Sequence, residues 1–315
     1  MMEPLSLHPL GSTNLQVPSL CVGCAALGNM PGTFAYSVTE EQALATIRAI
    51  FEGPITFADT AASYGDGESE RRIGVVLRER GGLPPGFILS TKADRDVLTG
   101  DFSGDQMRRS IERSLKLLGV DRLQIGYLHD PEHIGFAAAM APGGPVEALQ
   151  CLHESGVIQH LGIAGGPIDL MTQFVETDQF AVAISHNRYT LLNQEADTFW
   201  DVCQQHGVAA INAAPYGSGI LARSPSTYPR YMYGRASDAY LQRAFSLEAL
   251  CLRYQVPLAA VALQFSLRDP RLASTIVGIS KPERLLETVE LAQQVLPKDI
   301  WEEIADKERT SDACA

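Results

Sequence analysis

No apolar run in the sequence reaches the roughly 18 to 20 residues that a membrane-spanning helix needs. Positive charge is also in short supply: 25 Lys and Arg stand against 37 Asp and Glu, a formal net charge of −12. Such a surface repels polyanions over a Debye length, which excludes a general affinity for nucleic acid or anionic membranes. The N-terminus "MMEPLSLHPLGS" lacks the charged and apolar regions of a signal peptide, so a cytoplasmic location is expected. A dinucleotide fingerprint, G-x-G-x-x-G after the first strand, is missing as well. The stretch "CVGCAALGNMPG" sets Gly23, Gly28 and Gly32 at other spacings.

Cysteines are few and scattered, at 21, 24, 151, 203, 251 and 314, and read as reduced thiols rather than a disulfide framework. Cys21 and Cys24 have C-x-x-C spacing, but they lie inside the apolar "SLCVGCAAL" with no second pair or nearby histidines. No metal site is expected there.

What is present is a core-forming composition, 45% hydrophobic with 20% charged residues, arranged in alternation. A hairpin-like start, "LSLHPLGSTNLQVPSL", carries Gly11 and Asn14 as turn residues. Short apolar runs at 20–25, 55–60, 87–93, 123–129, 160–165, 181–187, 208–214 and 274–279 read as strands. Between them lie segments with apolar residues at spacings of three and four, such as "ESERRIGVVLRER" and "DQMRRSIERSLKLLG". Strand-then-helix repeated eight times predicts an α/β chain folded as a (β/α)8 TIM barrel with an N-terminal β-hairpin. No linker divides it, so residues 1–315 are expected to form a single domain. The segments around 26–38, 130–145 and 217–236 follow strands and read as irregular loops at the active face.

Active sites of such barrels gather at the C-terminal strand ends. There Asp59 ends the second strand, Lys92 the third and His129 the fourth, with Tyr64 in the loop after Asp59. A phenol is a poor acid or base at neutral pH, and a lysine ammonium beside it is expected to lower its pKa. Asp59 would orient the lysine, and a neutral His129 would donate a hydrogen bond to a substrate oxygen. The four together move a proton on or off a carbonyl or alcohol oxygen, and the hydride partner must be a cofactor. The small-residue loop "AAPYGSGILA" offers amides for a pyrophosphate, and "GISKPERLLETVE" opens a helix with Ser280, Lys281 and Arg284 near its positive end.

The motifs "DTAASYG", "STKAD", "LHD" and "PYGSGIL", in that order, resemble the aldo-keto reductases over nearly the whole chain. The resemblance implies NAD or NADP lying across the C-terminal face and an Asp, Tyr, Lys and His tetrad, carried here by Asp59, Tyr64, Lys92 and His129. It also implies cofactor contacts from Pro215, Tyr216, Gly217, Ser218, Gly219 and Leu221, and from Gly278, Ser280, Lys281, Arg284 and Glu287. Where reductase members hold the carboxamide with Ser-Asn, this chain has Ala164 and Gly165. The usual sixth-strand Gln gives way to His186 or Asn187. Gly278 and Thr288 replace the Lys and Asn often found in NADP-preferring members, and losing that cation favours NAD.

The phrases "YGDGESERRIG", "NRYTLL" and "PYGSGIL" are most similar to a sugar-dehydrogenase branch that oxidises a cyclic hemiacetal to a lactone. The expected substrate is a small aldose of the L-fucose, L-galactose or D-arabinose type, with Phe34, His133 and Tyr216 as substrate contacts. The alternatives are an NADPH-dependent aldehyde or ketone reductase, a dehydrogenase of pyridoxal, and a non-catalytic binding subunit. No sequence signal fixes an oligomeric state.

Overall fold

Residues 5–312 are described by a computed structural model. A hairpin opens the fold, β1 Leu7–Pro9 paired antiparallel with β2 Gln16–Pro18. The repeats follow: β3 Leu20–Gly23, α1 Pro31–Phe34, α2 Glu40–Glu52, β4 Phe57–Asp59, α3 Glu68–Arg80, β5 Ile88–Ala93, α4 Gly104–Leu118 and β6 Leu123–His129. Next come α5 Gly135–Ala139, α6 Pro145–Glu154, β7 Ile158–Gly165, α7 Ile168–Val175, β8 Val182–His186, α8 Asp197–Gln205 and β9 Ala209–Ala213. The chain finishes with β10 Arg230–Tyr231, β11 Gly234–Arg235, α9 Asp238–Arg253, α10 Leu258–Leu267, β12 Leu272–Gly278, α11 Glu283–Gln293 and α12 Asp299–Asp312.

Strands β3 to β9 and β12 close a parallel barrel in the order β12-β3-β4-β5-β6-β7-β8-β9. All eight expected strands are there, with ends shifted by one or two residues. The expected helices form too, one after each barrel strand, with α10 and α12 in addition. The three segments read as irregular loops contain short elements of their own: α1, α5 with a 3-10 turn at Pro131–His133, and the β10–β11 hairpin. Pieces of two to five residues are too short to show a period in the sequence.

Strand side chains alternate between two compartments. One set, including Cys21, Phe57, Ile88, Ile125, Tyr127, Val182 and Ile211, fills the barrel interior. The other set packs outward against the helices, where Ile73, Met107, Phe174, Trp200 and Val261 complete the larger core. The hairpin plugs the N-terminal end, since its Leu10 and Val17 join the interior cluster. Gly11 makes that possible: with φ +55, it lies so close to Ala209 N that an added Cβ would sit 2.7 Å away.

The alternation also aims the site. Positions 57 and 59, 88, 90 and 92, and 125, 127 and 129 share the interior side of their strands. Asp59, Lys92 and His129 are therefore the last inward residues of their strands before the open rim, with Ser90 one step below Lys92. Helix ends are fixed locally, as Thr39, Ser103 and Ser237 accept the amides of Gln42, Gln106 and Tyr240 at the starts of α2, α4 and α9. Among the described residues, no single helix is long and apolar enough to cross a membrane.

Candidate active site

The tetrad forms one connected unit. Lys92 Nζ donates to Asp59 Oδ2 at 2.5 Å, to Thr60 O at 2.8 Å and to the Tyr64 hydroxyl at 3.1 Å. Asp59 is held in turn by Ser90 Oγ at 2.7 Å. Both members of the ion pair are almost fully buried. All three ammonium protons are used, and Tyr64, as acceptor, keeps its own O–H for a ligand.

The Tyr64 loop is fitted to its neighbour backbone to backbone. A Cβ on Gly28 would lie 2.6 Å from Tyr64 O, and one on Gly65, whose φ is +64, would lie 1.9 Å from Gly28 O. Only glycine at both positions lets the loop bring the phenol over Lys92.

His129 is oriented by a residue that sequence reasoning did not assign, although it ends the quoted "STKAD". Asp94 Oδ1 lies 2.6 Å from His129 Nδ1, and Asp94 Oδ2 accepts the Ser63 amide at 2.8 Å. A carboxylate only accepts, so Nδ1 carries a proton. In the neutral imidazole Nε2 is then an acceptor, which corrects the expectation of a neutral His129 donating to substrate. Donation from Nε2 requires the imidazolium. Burial opposes that charge, but Asp94 and Asp130 outweigh it and raise the His129 pKa.

A second expectation is corrected in sign. Burial pushes the Tyr64 phenol well above its usual value; the Lys92 charge and hydrogen bond pull it down but do not win. For Lys92, burial opposes the ammonium, and Asp59 with Tyr64 overcomes that and raises it. Behind the strand, Glu70 is fully buried, and its Oε1 accepts from Thr91 Oγ1 at 2.5 Å. Burial, with a smaller push from Asp94, drives its pKa up to about 7.

On the other side of the rim the elements are loops. His186 ends β8, half-buried, with Nε2 3.9 Å from Asp130 Oδ1. Asn187 follows in the left-handed region and lies within 3.4 Å of Ser218 Oγ. Ala214, Gly217, Ser218 and Gly219 also have positive φ, folding the loop after β9 tightly. Pro215 and Leu221 are buried; the Leu221 side chain belongs to the core, so this residue offers only backbone to a ligand. Tyr216 is buried with its hydroxyl unpartnered, near Arg284. Gly278 is exposed at the end of β12 with nothing near its absent side chain. Ser280 carries Tyr36 and Gln42 on its side chain and carbonyl, Lys281 is exposed, and Arg284 pairs with Glu287 at 3.5 Å. Thr288 turns back on its own helix, donating to Arg284 O.

A phosphate-bearing dinucleotide fits this set. The Tyr216 hydroxyl is orphaned near Arg284, which lies in the first turn of α11, and Lys281 stands just before that helix. Among the substrate expectations, Phe34 is half-buried at the rim, 6.1 Å from the Tyr233 ring, whereas His133 is exposed. From the same turn as His133, Glu132 reaches inward instead, accepting the Gly166 amide at 3.4 Å. Cys21 and Cys24 are buried thiols donating to Val22 O, with burial pushing Cys24 to about 12. Cys314 lies outside the described residues.

The model of the aldo/keto reductase family matches residues 19–309. The chain belongs to that family. Its members use nicotinamide cofactors. Among curated relatives of this aldo/keto reductase, D-threo-aldose 1-dehydrogenase of a Pseudomonas species is 31% identical, covering 94% of this chain and 95% of the relative. Pyridoxal 4-dehydrogenase of Microbacterium luteolum is 28% identical over 93% and 94% of the two chains, and L-galactose dehydrogenase of Arabidopsis thaliana 29% over 91% and 88%. The holo form of aldo-keto reductase AKR11C1 from Bacillus halodurans superposes with a TM-score of 0.76 at 22% identity, covering 96% of each chain. That likeness supports the barrel.

Proposed function

We propose that this aldo/keto reductase oxidises the anomeric hydroxyl of a small aldose to a lactone, with NAD as the preferred cofactor. The observation that carries the reading is the Asp59–Lys92–Tyr64 chain, which ends in a hydroxyl with its proton free toward the rim. When bound, an oxidised nicotinamide supplies what no side chain can, an acceptor for the C1 hydride. Tyr64 takes the O1 proton, Lys92 stabilises the phenolate, Asp59 keeps Lys92 charged, and the His129 imidazolium holds the sugar oxygen. Removal of a hydride from C1 and a proton from O1 leaves the lactone carbonyl. The preference for NAD rests on Gly278, which offers no cation to a 2′-phosphate. Curated sugar dehydrogenases among the relatives support the substrate class. The buried, unpaired thiols agree with a reducing, cytoplasmic setting.

One observation favours a second reading. A phenol held above its usual pKa is the proton donor that carbonyl reduction needs at neutral pH, so an NADPH-dependent aldehyde reductase is the rival. Initial rates with NAD and L-fucose, L-galactose, D-arabinose or pyridoxal, set against NADPH with an aromatic aldehyde, separate the two. Turnover only in the second assay overturns the aldose reading. The same raised phenol gives a sign: oxidation should accelerate as pH climbs from 7 toward 10, because the basic form of Tyr64 grows, whereas for reduction the phenol stays protonated over this range.

A further inference from the structure

The β10–β11 hairpin turns on Met232 and Tyr233, with φ +50 and +64. Two-residue turns with both residues left-handed belong to Asn and Gly, because a Cβ crowds the backbone there. A Met-Tyr pair at this place is strained, and such strain persists only where the surroundings hold it and something is gained. The surroundings do hold it. The Tyr233 amide donates to Ser218 Oγ at 2.9 Å, its carbonyl accepts from Arg230 at 2.5 Å, and Arg230 also reaches Thr33 O at 3.2 Å.

What is gained is the position of one ring. Tyr233 packs edge-on to Phe34 at 6.1 Å and tilted to His186 at 6.2 Å, while remaining 37% exposed. Its phenol is close enough to Asn187, Asp130 and Lys92 to be influenced by all three. The ring therefore stands over the mouth of the site. On the His129 side, Asp130 Oδ1 lies 3.5 Å from His129 Nε2 and 3.9 Å from His186 Nε2, and Glu132 Oε2 is buried without a hydrogen bond. An ionised carboxylate accepts, so a neutral ligand reaching the partly exposed Asp130 side chain meets it with O–H or N–H donors. An aromatic face on one side and waiting acceptors on the other suit a small ring with C–H faces and hydroxyl edges.

We infer that Tyr233 is the specificity-determining residue of this enzyme, forming with Phe34 an apolar wall for one face of a sugar ring whose hydroxyls donate to Asp130, with Glu132 behind it. The inference rests on the aldose reading and deepens it. It also commits to direct recognition of the sugar by the Asp130 carboxylate.

Tyr233→Asn and Tyr233→Gly test it, since both residues suit the left-handed turn and remove the ring. The expected result is a thermal midpoint no lower than the parent's, a dinucleotide Kd by nicotinamide fluorescence unchanged within about twofold, and a KM for L-fucose raised about three- to tenfold, the size of a lost aromatic contact. Asp130→Asn and Glu132→Gln should narrow the preference for L-fucose over an analogue lacking one ring hydroxyl. An unchanged KM overturns the inference. So does a dinucleotide Kd weakened by the same factor, which would make Tyr233 a cover for the cofactor. Saturation-transfer NMR with L-fucose keeps the two readings apart. Binding by the parent that is lost in Tyr233→Asn supports the slot even if no aldose is oxidised, and aldose turnover indifferent to Tyr233 sinks the slot while leaving the oxidation reading standing.

Discussion

The two halves of the rim are built on different plans. At the ends of β4, β5 and β6, side chains hold side chains: every ammonium proton of Lys92 has an acceptor, and Asp59 and His129 each have a dedicated partner in Ser90 and Asp94. At the ends of β8, β9 and β12, backbone does the shaping, through consecutive left-handed residues and a helix start, and the Tyr216 hydroxyl has no partner. A proton must be moved at a fixed atom, which demands groups locked in place before a ligand arrives. A long, flexible dinucleotide can be held by many weak contacts.

If that contrast is right, single side-chain changes should matter far more on the first half than on the second. Tyr64→Phe should lower turnover by roughly 10² to 10⁴ with dinucleotide titration undisturbed, the range expected for losing a general acid–base group. A variant keeping full turnover would remove Tyr64 from the chemistry. Gly28→Ala, which leaves all four functional residues intact, should cut kcat by up to about a hundredfold by displacing the Tyr64 loop. It should also destabilise the fold by about 1–3 kcal/mol in urea unfolding.

Glu70 gives a stability test with a defined sign. Its pKa of about 7 in the fold exceeds that of a free glutamate, so the fold favours the protonated form. The stability this provides is full below about pH 4 and is lost as pH rises through 7, on the order of 3 kcal/mol in all. Glu70→Gln should therefore match the parent near pH 4 and exceed it at pH 8; equal stabilities at both pH values would remove Glu70 as the source. The smallest effect belongs to the second half of the rim. Arg284→Ala should weaken dinucleotide binding by about three- to tenfold and leave turnover at saturating cofactor nearly unchanged.

The same contrast explains what could be read from the sequence. Strand ends carry period-2 information, so Asp59, Lys92 and His129 stood out as polar residues closing apolar runs, and all eight barrel strands followed from the same pattern. Asp94 was visible in "STKAD" but stands just past the end of β5 and acts through His129, a contact between strands that the sequence does not display. Tyr233 was hidden more deeply, since a hairpin of two-residue strands has no signature, and Met-Tyr is not a turn dipeptide. Helix α10, "LAAVALQFSL", is apolar on nearly every face and gave no helical stripe to detect. The signs of the Tyr64 and His129 shifts were beyond sequence reasoning because they depend on how burial weighs against a neighbouring charge, and burial is a property of the closed barrel.

That closure has a consequence for how the molecule comes into being. The seam is the pairing of β12 with β3, where Thr275 meets Leu20 and Gly278 meets Gly23, so the barrel shuts only by joining nearly the two ends of the chain. Bringing distant segments together costs more entropy and comes later than pairing neighbours. Asp59, Lys92 and His129 sit on strands that are consecutive in the chain and pair in turn, and Tyr64 lies in the loop after the first of them. A chain still emerging from the ribosome would thus carry all four of these residues well before residues 278–287, where the dinucleotide is proposed to bind. The last strand to arrive is the one that turns a set of acids and bases into a redox enzyme.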